Sequence, residues 1–460
     1  MKPVVIIVGR TNVGKSTLFN ALTRSRAALV ADFEGLTRDR QYGHGVVGDR
    51  PYLLVDTGGW IDDSDPLRAR MRDQITRAIE EADAIMFVVD GRAGPNAADR
   101  ALADVLRRAA RPLTLVVNKT EGMDGEIAGA EFHALALGEP VTISAAHAQG
   151  LADLMERVLA PLPVVPDLPP ETDVPRITVA GRPNVGKSTL VNRLIGEDRM
   201  IVFDAPGTTR DAIRIPIERA RRRYEIVDTA GVRRKSRVGE TLEKFSVIKS
   251  LQAIDDANVV ILVLDAQSGI SEQDVHLAGY VAEQGRAMVL AVNKWDAPDS
   301  GEREWLKREL DRKLPFLEFL SPHFISALTG AGVNALWPAV DRAYASARRE
   351  FGTGMLNRIL GRAVQATPPP MGRGARIKLK YAHQGGRNPP RIIVHGNQVN
   401  AVSDSYRRFL ANTFRKVLKL EGTPVVIEFA SGSNPYDKPV ARKSPPRKRA
   451  SKPAARRSRS

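Results

Sequence analysis

Ten residues, Gly9-Arg-Thr-Asn-Val-Gly-Lys-Ser-Thr-Leu18, return as Gly181-Arg-Pro-Asn-Val-Gly-Lys-Ser-Thr-Leu190, displaced by 172 positions. Each copy contains Gly-x-x-x-x-Gly-Lys-Ser between an apolar run and a helical pattern. That context demands a strand, a phosphate-cradling loop and a helix in immediate succession. The displacement then persists in order. Thr37-Arg38-Asp39 recurs as Thr209-Arg210-Asp211, and Asp56-Thr57-x-Gly59 as Asp228-Thr229-x-Gly231, both again 172 apart. Asn118-Lys119 and Asn293-Lys294 are 175 apart, and Ser144-Ala145 and Ser326-Ala327 are 182 apart. So slow a drift means a duplicated domain with small loop insertions, and a domain-sized period excludes a solenoid.

Within the first copy the apolar runs 4–8, 53–56, 85–90, 113–118 and 141–144 alternate with amphipathic segments. Continuous apolar strands are buried on both faces, so the pattern predicts an α/β module with a mostly parallel sheet covered by helices on each side. The proline-rich stretch 161–175 disfavours helix and sheet and reads as a linker. After about residue 350 the repeat stops. The pattern becomes helix (355–364), strand (376–383), strand (391–396), helix (406–419) and strand (423–430), a small α+β domain. On its second helix Tyr406, Phe409, Leu410, Phe414, Val417 and Leu418 follow helical spacing as a core stripe. Arg407, Arg408, Arg415, Lys416 and Lys419 form the surrounding basic surface. The expected domains are residues 1–160, 176–350 and 351–437, with a linker at 161–175 and a tail at 438–460.

A chain of 460 residues agrees with about three domains. Its net charge of +16 points to a polyanionic partner, but ten Lys and Arg and no acid fall in 438–460, leaving about +6 elsewhere. The composition of that tail predicts a disordered extension, either solubilising or in contact with nucleic acid. No apolar run approaches the roughly 20 residues of a membrane span. The N-terminus enters a buried-type strand directly, without the regions of a secretory signal. A cytoplasmic protein with no membrane partner is expected. The absence of cysteine excludes disulfides, thiolate-zinc sites and cysteine nucleophiles.

The first phosphate loop is Gly9, Arg10, Thr11, Asn12, Val13, Gly14, Lys15 and Ser16. The second is Gly181, Arg182, Pro183, Asn184, Val185, Gly186, Lys187 and Ser188. Their glycines let backbone N–H groups surround a β-phosphate at a helix N-terminus, where Lys15 or Lys187 reaches the β- and γ-phosphates. Ser16 and Ser188 supply hydroxyl ligands to Mg²⁺. Asp56, Thr57, Gly58 and Gly59, with Asp228, Thr229, Ala230 and Gly231, end strands in Asp-x-x-Gly. The carboxylate there can hold Mg²⁺ through water, while the glycine N–H reports the γ-phosphate. Thr37 and Thr209 are the expected switch hydroxyls that close on Mg²⁺. Trp60 and Val232 stand where water-orienting GTPases place Gln, so catalysis must borrow a charge or a water-positioning group from elsewhere.

Guanine is read in the second copy by Asn293, Lys294, Trp295 and Asp296. The Asp carboxylate accepts from N1 and the exocyclic N2, donors that adenine lacks. Asn293 would hold N7, Lys294 would pack over the base, and the N–H of Ala327, after Ser326, would meet O6. The first copy offers Asn118, Lys119, Thr120 and Glu121, with Ser144 and Ala145. Its extra methylene moves the carboxylate by roughly a bond length and weakens a contact worth about 1–3 kcal/mol.

With these motifs in place the chain closely resembles the Der family, also called EngA, the double-Era-like bacterial GTPases. Two Gly-Arg-x-Asn-Val-Gly-Lys-Ser loops, paired Thr-Arg-Asp switches, Asp-Thr-Gly-Gly with Asp-Thr-Ala-Gly, and the segment Tyr381-Ala-His-Gln-Gly-Gly-Arg-Asn-Pro-Pro390 carry the likeness over residues 1 to about 437. The resemblance implies two P-loop NTPase (G) domains with mostly parallel sheets, a KH-like C-terminal domain, GTP hydrolysis, and a role in assembling or stabilising the large ribosomal subunit, with rRNA as partner and a monomeric chain. It also implies Asn12 and Asn184 as potassium ligands, potassium supplying the charge that an arginine finger otherwise brings. Three departures stand out: Glu34 where the second copy has Pro206, Glu121 for Asp, and no Gly-x-x-Gly in 351–437. The last removes the loop by which ordinary KH domains clamp single-stranded RNA. Alternatives are an RNA-binding scaffold with structural nucleotides and a transfer-RNA-modification GTPase. The lack of cysteine and of an added modifying domain weighs against the second, and the tandem modules weigh against a nuclear or DNA-binding tail.

Overall fold

The computed structural model describes residues 2–23, 29–30, 40–57, 76, 78–109, 111–164, 173–196, 214–227, 247–371 and 377–431. In the first module β1 (Val4–Val8), β2 (Leu29–Val30), β3 (Arg40–Val47), β4 (Arg50–Thr57), β5 (Ala84–Asp90), β6 (Leu113–Asn118) and β7 (Val141–Thr142) form a sheet in the order β2-β3-β4-β1-β5-β6-β7. Strand β1 runs parallel to β4 and β5, β5 to β6 and β6 to β7, while β3 is antiparallel to β4 and β2 to β3. Every residue of β1 and β5 is buried, as strands covered on both faces must be. The alternate side chains divide the core. Val5, Ile7, Leu54, Met86 and Val88 pack with Leu18, Phe19 and Leu154 on one face. Val4, Ile6, Val8, Phe87 and Val89 belong to a cluster that runs on into the second module through Leu251, Val260 and Leu277.

The second module repeats the plan with β8 (Arg176–Ala180), β9 (Arg214–Arg219), β10 (Arg222–Val227), β11 (Val259–Asp265), β12 (Ala287–Asn293) and β13 (His323–Phe324), ordered β13-β12-β11-β8-β10-β9. Only the β9–β10 pairing among these described strands is antiparallel. In each module the chain crosses from one side of the first strand to the other, and ligands in open α/β sheets bind at that switch point, outside the strands' carboxyl ends. Helix α1 (Lys15–Thr23) follows β1 there. Helices α2 (Ala97–Arg107), α3 (Gly125–Ala130) and α4 (Leu151–Leu159) also belong to the first module, where residues 78–81 are helical as well. The second module has α5 (Lys187–Gly196), α6 (Val247–Asp256), α7 (Glu272–Glu283), α8 (Ser300–Lys313) and α9 (Leu336–Ala347) among its described residues.

The C-terminal region contains α10 (Thr353–Ala366), β14 (Lys378–Gly386), β15 (Arg391–Asn397), α11 (Asp404–Leu418) and β16 (Val426–Ser431), with sheet order β14-β15-β16. This is the expected succession with shifted ends. The last strand starts at Val426 rather than at 423, since Pro424 has no N–H for a ladder. Arg376, the expected start of the first strand, lies outside the described residues. Two expectations on α11 are corrected. Val417 is 48% exposed, whereas Arg415 is 6% exposed. Buried contacts on α11 recur at Tyr406, Leu410, Phe414 and Leu418, and Arg415 instead lays its guanidinium 4.2 Å from the ring centroid of Phe319. Two compact units result. One comprises residues 1–350 with 386–391 and 415–426, and the other residues 351–385, 392–414 and 427 onward.

Candidate functional sites: two duplicated pockets

Both phosphate loops are held open by the same backbone devices. Gly14 and Gly186 take φ of +94° and +96°, and a Cβ on either would overlap the side-chain amide nitrogen of Asn118 or Asn293. Only glycine meets both demands. Asn12 and Asn184 are left-handed at φ 67° and 63°, and their side chains are exposed. Lys15 Nζ donates to the carbonyl of Arg10 at 2.7 Å, and Lys187 Nζ to that of Arg182 at 2.7 Å. Burial pulls the Lys15 pKa down, the nearby Asp56 carboxylate opposes the shift, and Arg10 adds to it. A desolvated ammonium at a helix N-terminus has a strong demand for an anion. Ser16 Oγ donates to Asp56 Oδ2 at 2.9 Å, so two hard oxygen donors from separate motifs meet at the loop.

On the base side, Asn118 and Asn293 tie three segments together. Nδ2 donates to the phosphate-loop carbonyl of Val13 (2.9 Å) or Val185 (2.8 Å), and Oδ1 accepts from the N–H of Ala145 (3.0 Å) or Ala327 (2.8 Å). One amide proton remains on each Asn for the N7 of a base. Lys119 and Lys294 reach Asp90 and Asp265, each at 2.7 Å. Burial alone would raise those aspartates. The lysine hydrogen bonds and backbone N–H donors overcome it and hold both below the usual carboxylate range. Thr120 Oγ1 donates to Ile143 O at 3.0 Å, while Trp295 packs tilted against Phe324 at 4.1 Å between ring centroids. Ser144 Oγ donates to Glu121 Oε2 at 2.7 Å, and the Ser326 hydroxyl bonds the Asp296 carboxylate; these bonds lower both acids' pKa values.

A second tie lies behind each phosphate loop. The Arg10 guanidinium meets Asp99, 3.4 Å between Nε and Oδ2, and Arg182 meets Asp274 at 3.4 Å. Both aspartates are fully buried and close capping boxes, with Asn96 on α2 and with Ser271 on α7. Burial raises their pKa values against the pull of the cap amides and the arginines. The arginine whose carbonyl anchors the lysine is thus itself anchored to the next helix cap.

Sequence reasoning missed Asp90, Asp265, Asp99 and Asp274. The signal was available, because Asp90 and Asp265 end apolar strands, and the two cap boxes recur at the same 175-residue displacement as Asn118 and Asn293. Thr37, Gly58, Gly59, Trp60, Thr209, Asp228, Thr229, Ala230, Gly231 and Val232 lie outside the described residues.

The chain matches the family described as "50S ribosome-binding GTPase" over residues 4–119 and 176–294. Residues 351–430 match "KH-domain-like of EngA bacterial GTPase enzymes, C-terminal". It is 56% identical to the GTPase Der of Nitrosospira multiformis over 438 residues, covering 95% of this chain and 94% of the relative. It is 54% identical to that of Nitrosomonas eutropha over 451 residues, covering 97% and 96%. The GTPase Der of Thioalkalivibrio sulfidiphilus is 54% identical over 439 residues, covering 95% of each chain.

Proposed function

The chain belongs to the Der family of GTPases, and from that premise we propose that it is a nucleotide-dependent switch in the assembly or stability of the large ribosomal subunit. It binds GTP and GDP and hydrolyses GTP to GDP and phosphate. The observation that carries the nucleotide-binding part of this reading is the duplicated bracket, in which Asn118 or Asn293 joins the phosphate loop to the Ser-Ala turn. A nucleotide spanning that bracket would be held at both ends by groups already in place, which lowers the ordering cost of binding.

In this reading Gly9 to Ser16 and Gly181 to Ser188 wrap the phosphates, with Lys15 and Lys187 on the β- and γ-oxygens. Asn118, Lys119 and Glu121, and Asn293, Lys294 and Asp296, take the guanine. The paired oxygens of Ser16 and Asp56 are the hard donors that Mg²⁺ requires, and Thr37 would join them. Ser188, Asp228 and Thr209 are the matching set. Bound there, Mg²⁺ would neutralise charge on the transferring phosphoryl group. The exposed amide carbonyls of Asn12 and Asn184, carried on left-handed backbone beside the phosphates, suit potassium, which would supply the missing positive charge. The carbonyls of Arg10 and Arg182 fix the lysines, the carboxylate-bearing base motif would reject adenine, and Gly59 and Gly231 would meet the γ-phosphate in this reading.

We take residues 1–160 and 176–350 as the G domains, 161–175 as linker, 351–437 as the KH-like domain and 438–460 as a basic tail on a monomeric chain. The family description "50S ribosome-binding" supports the large subunit and its rRNA as partner. Among the described residues no helix is long and apolar enough to cross a membrane, in keeping with a cytoplasmic site of action. Co-sedimentation with purified ribosomal subunits tests the proposal. Binding to the large subunit with a GTP analogue, lost with GDP and lost in Thr209→Ala, is expected. Equal binding in both nucleotide states would favour the scaffold alternative.

A further inference from the structure

The two base-reading pockets share their contacts almost atom for atom. Asn118 matches Asn293, Lys119 with Asp90 matches Lys294 with Asp265, and Ser144 matches Ser326. They part at one place. The first pocket has Glu121 where the second has Asp296, and beside Glu121 stands Arg92, whose Nη2 donates to Glu121 Oε1 at 2.6 Å. The backbone site of Arg92 is matched by Gln267. The N–H of Arg92 donates to Asp90 Oδ1 at 3.0 Å, and that of Gln267 to Asp265 Oδ1 at 2.9 Å. Among the described residues no cation pairs with Asp296. One extra methylene therefore coincides with one extra guanidinium in a chain that carries its own control.

We propose that Arg92 is a specificity-positioning residue of the first pocket, clamping one oxygen of Glu121 so that the longer carboxylate is presented to guanine as the shorter one is in the second pocket. The inference rests on the reading of Glu121 as the group that recognises guanine. An ionised carboxylate offers about four acceptor sites on its two oxygens. Ser144 holds Oε2 and Arg92 holds Oε1, and the backbone N–H of Glu121 also donates to the carboxylate, so both oxygens are fixed where the N1 and N2 donors of guanine would approach. Held by Ser144 alone, a glutamate has one more rotatable bond than an aspartate, and ordering it on binding costs entropy that the guanidinium removes beforehand. The side chain of Arg92 is 59% exposed and that of Glu121 26%, so salt weakens this clamp. The second pocket, which uses no such ion pair, lacks that sensitivity.

The test uses the full-length chain with Lys187→Ala, so that the first pocket is read alone, and compares GDP with inosine diphosphate, which lacks the N2 amine. Affinities come from displacement of a fluorescent GDP. Arg92→Gln should lower the GDP-over-IDP preference by about two- to fivefold. Arg92→Gln with Glu121→Asp should restore it, because that is the pairing the second pocket already uses. Added salt should erode the preference with Arg92 and Glu121 present, and leave it steady in the double variant. Glu121→Ala separates the two claims. If Glu121→Ala abolishes the preference while Arg92→Gln leaves it unchanged or raises it, the clamp is refuted and the guanine reading stands. If Glu121→Ala leaves the preference intact, the guanine reading fails and takes this inference with it.

Discussion

Truncating Asn293 to Ala should cost the second pocket most of its nucleotide affinity. The side chain is 2% exposed, donates to Val185 O at 2.8 Å and accepts from Ala327 N at 2.8 Å, and both partner residues are themselves 1–2% exposed. Removing it leaves one buried carbonyl and one buried N–H without partners, each at about 1–3 kcal/mol, so the nucleotide-ready arrangement should lose about 3 kcal/mol. At about 1.4 kcal/mol per decade this raises the GDP Kd on the order of 100-fold. The assay is displacement of fluorescent GDP from a full-length chain carrying Lys15→Ala, with thermal unfolding followed in parallel. For a domain of this size the same loss lowers the corresponding Tm by about 6–12 °C. Gly186→Ala attacks the bracket from its other side, since its φ is +96° and the added Cβ would overlap Asn293 Nδ2. Affinity within about threefold of the parent in both variants would refute the argument that this bracket preforms the pocket.

Four further outcomes are expected. Asp296→Asn should move the second pocket from guanine toward xanthine nucleotides, because an amide donates where xanthine presents a carbonyl; unchanged GTP affinity in a Lys15→Ala background would contradict it. Exchanging potassium for sodium at matched ionic strength should slow hydrolysis, and equal rates would remove Asn12 and Asn184 as ligands. His44 on β3, 2.8 Å from the Tyr280 hydroxyl, has its pKa lowered to about 4 by burial, with Lys2 and Arg286 adding to the shift and Asp255 opposing it. Between pH 6.5 and about 4 the unfolded chain therefore takes up a proton that the folded one refuses, and stability falls with pH across that window by about 2 kcal/mol at pH 4.5. His44→Gln should flatten that part of the Tm-against-pH curve. Deleting residues 438–460 should reduce the salt dependence of ribosome binding without removing its GTP requirement, and abolition of binding by the deletion alone would point to a charged scaffold.

Much of this protein was legible in one dimension because its strongest signals are local. Glycine spacing around Lys15 and Lys187 dictates the loop, and the short, mostly apolar, β-branched runs 4–8, 85–90 and 113–118 read as strands covered on both faces. The 172-residue repeat then required that whatever fold one module took, the other took as well. Strand β3 was not legible. Its sequence Arg-Gln-Tyr-Gly-His-Gly-Val-Val is polar and broken by glycine, and it is a strand because β4 offers it an antiparallel partner along its whole length. Gly43 and Gly45 sit there because the side chains of Phe19, Thr23 and Tyr52 occupy the space a Cβ would need. The ties of Arg10 to Asp99, Arg182 to Asp274 and Arg92 to Glu121 were equally hidden, since each joins residues 29 to 92 positions apart. Backbone propensity and apolar period act over a few residues and so are written in the order of the chain. Which carboxylate faces which guanidinium is decided only when packed strands and helices bring distant positions within hydrogen-bond reach, and for the fully buried Asp99 and Asp274 the loss of water makes the pairing matter.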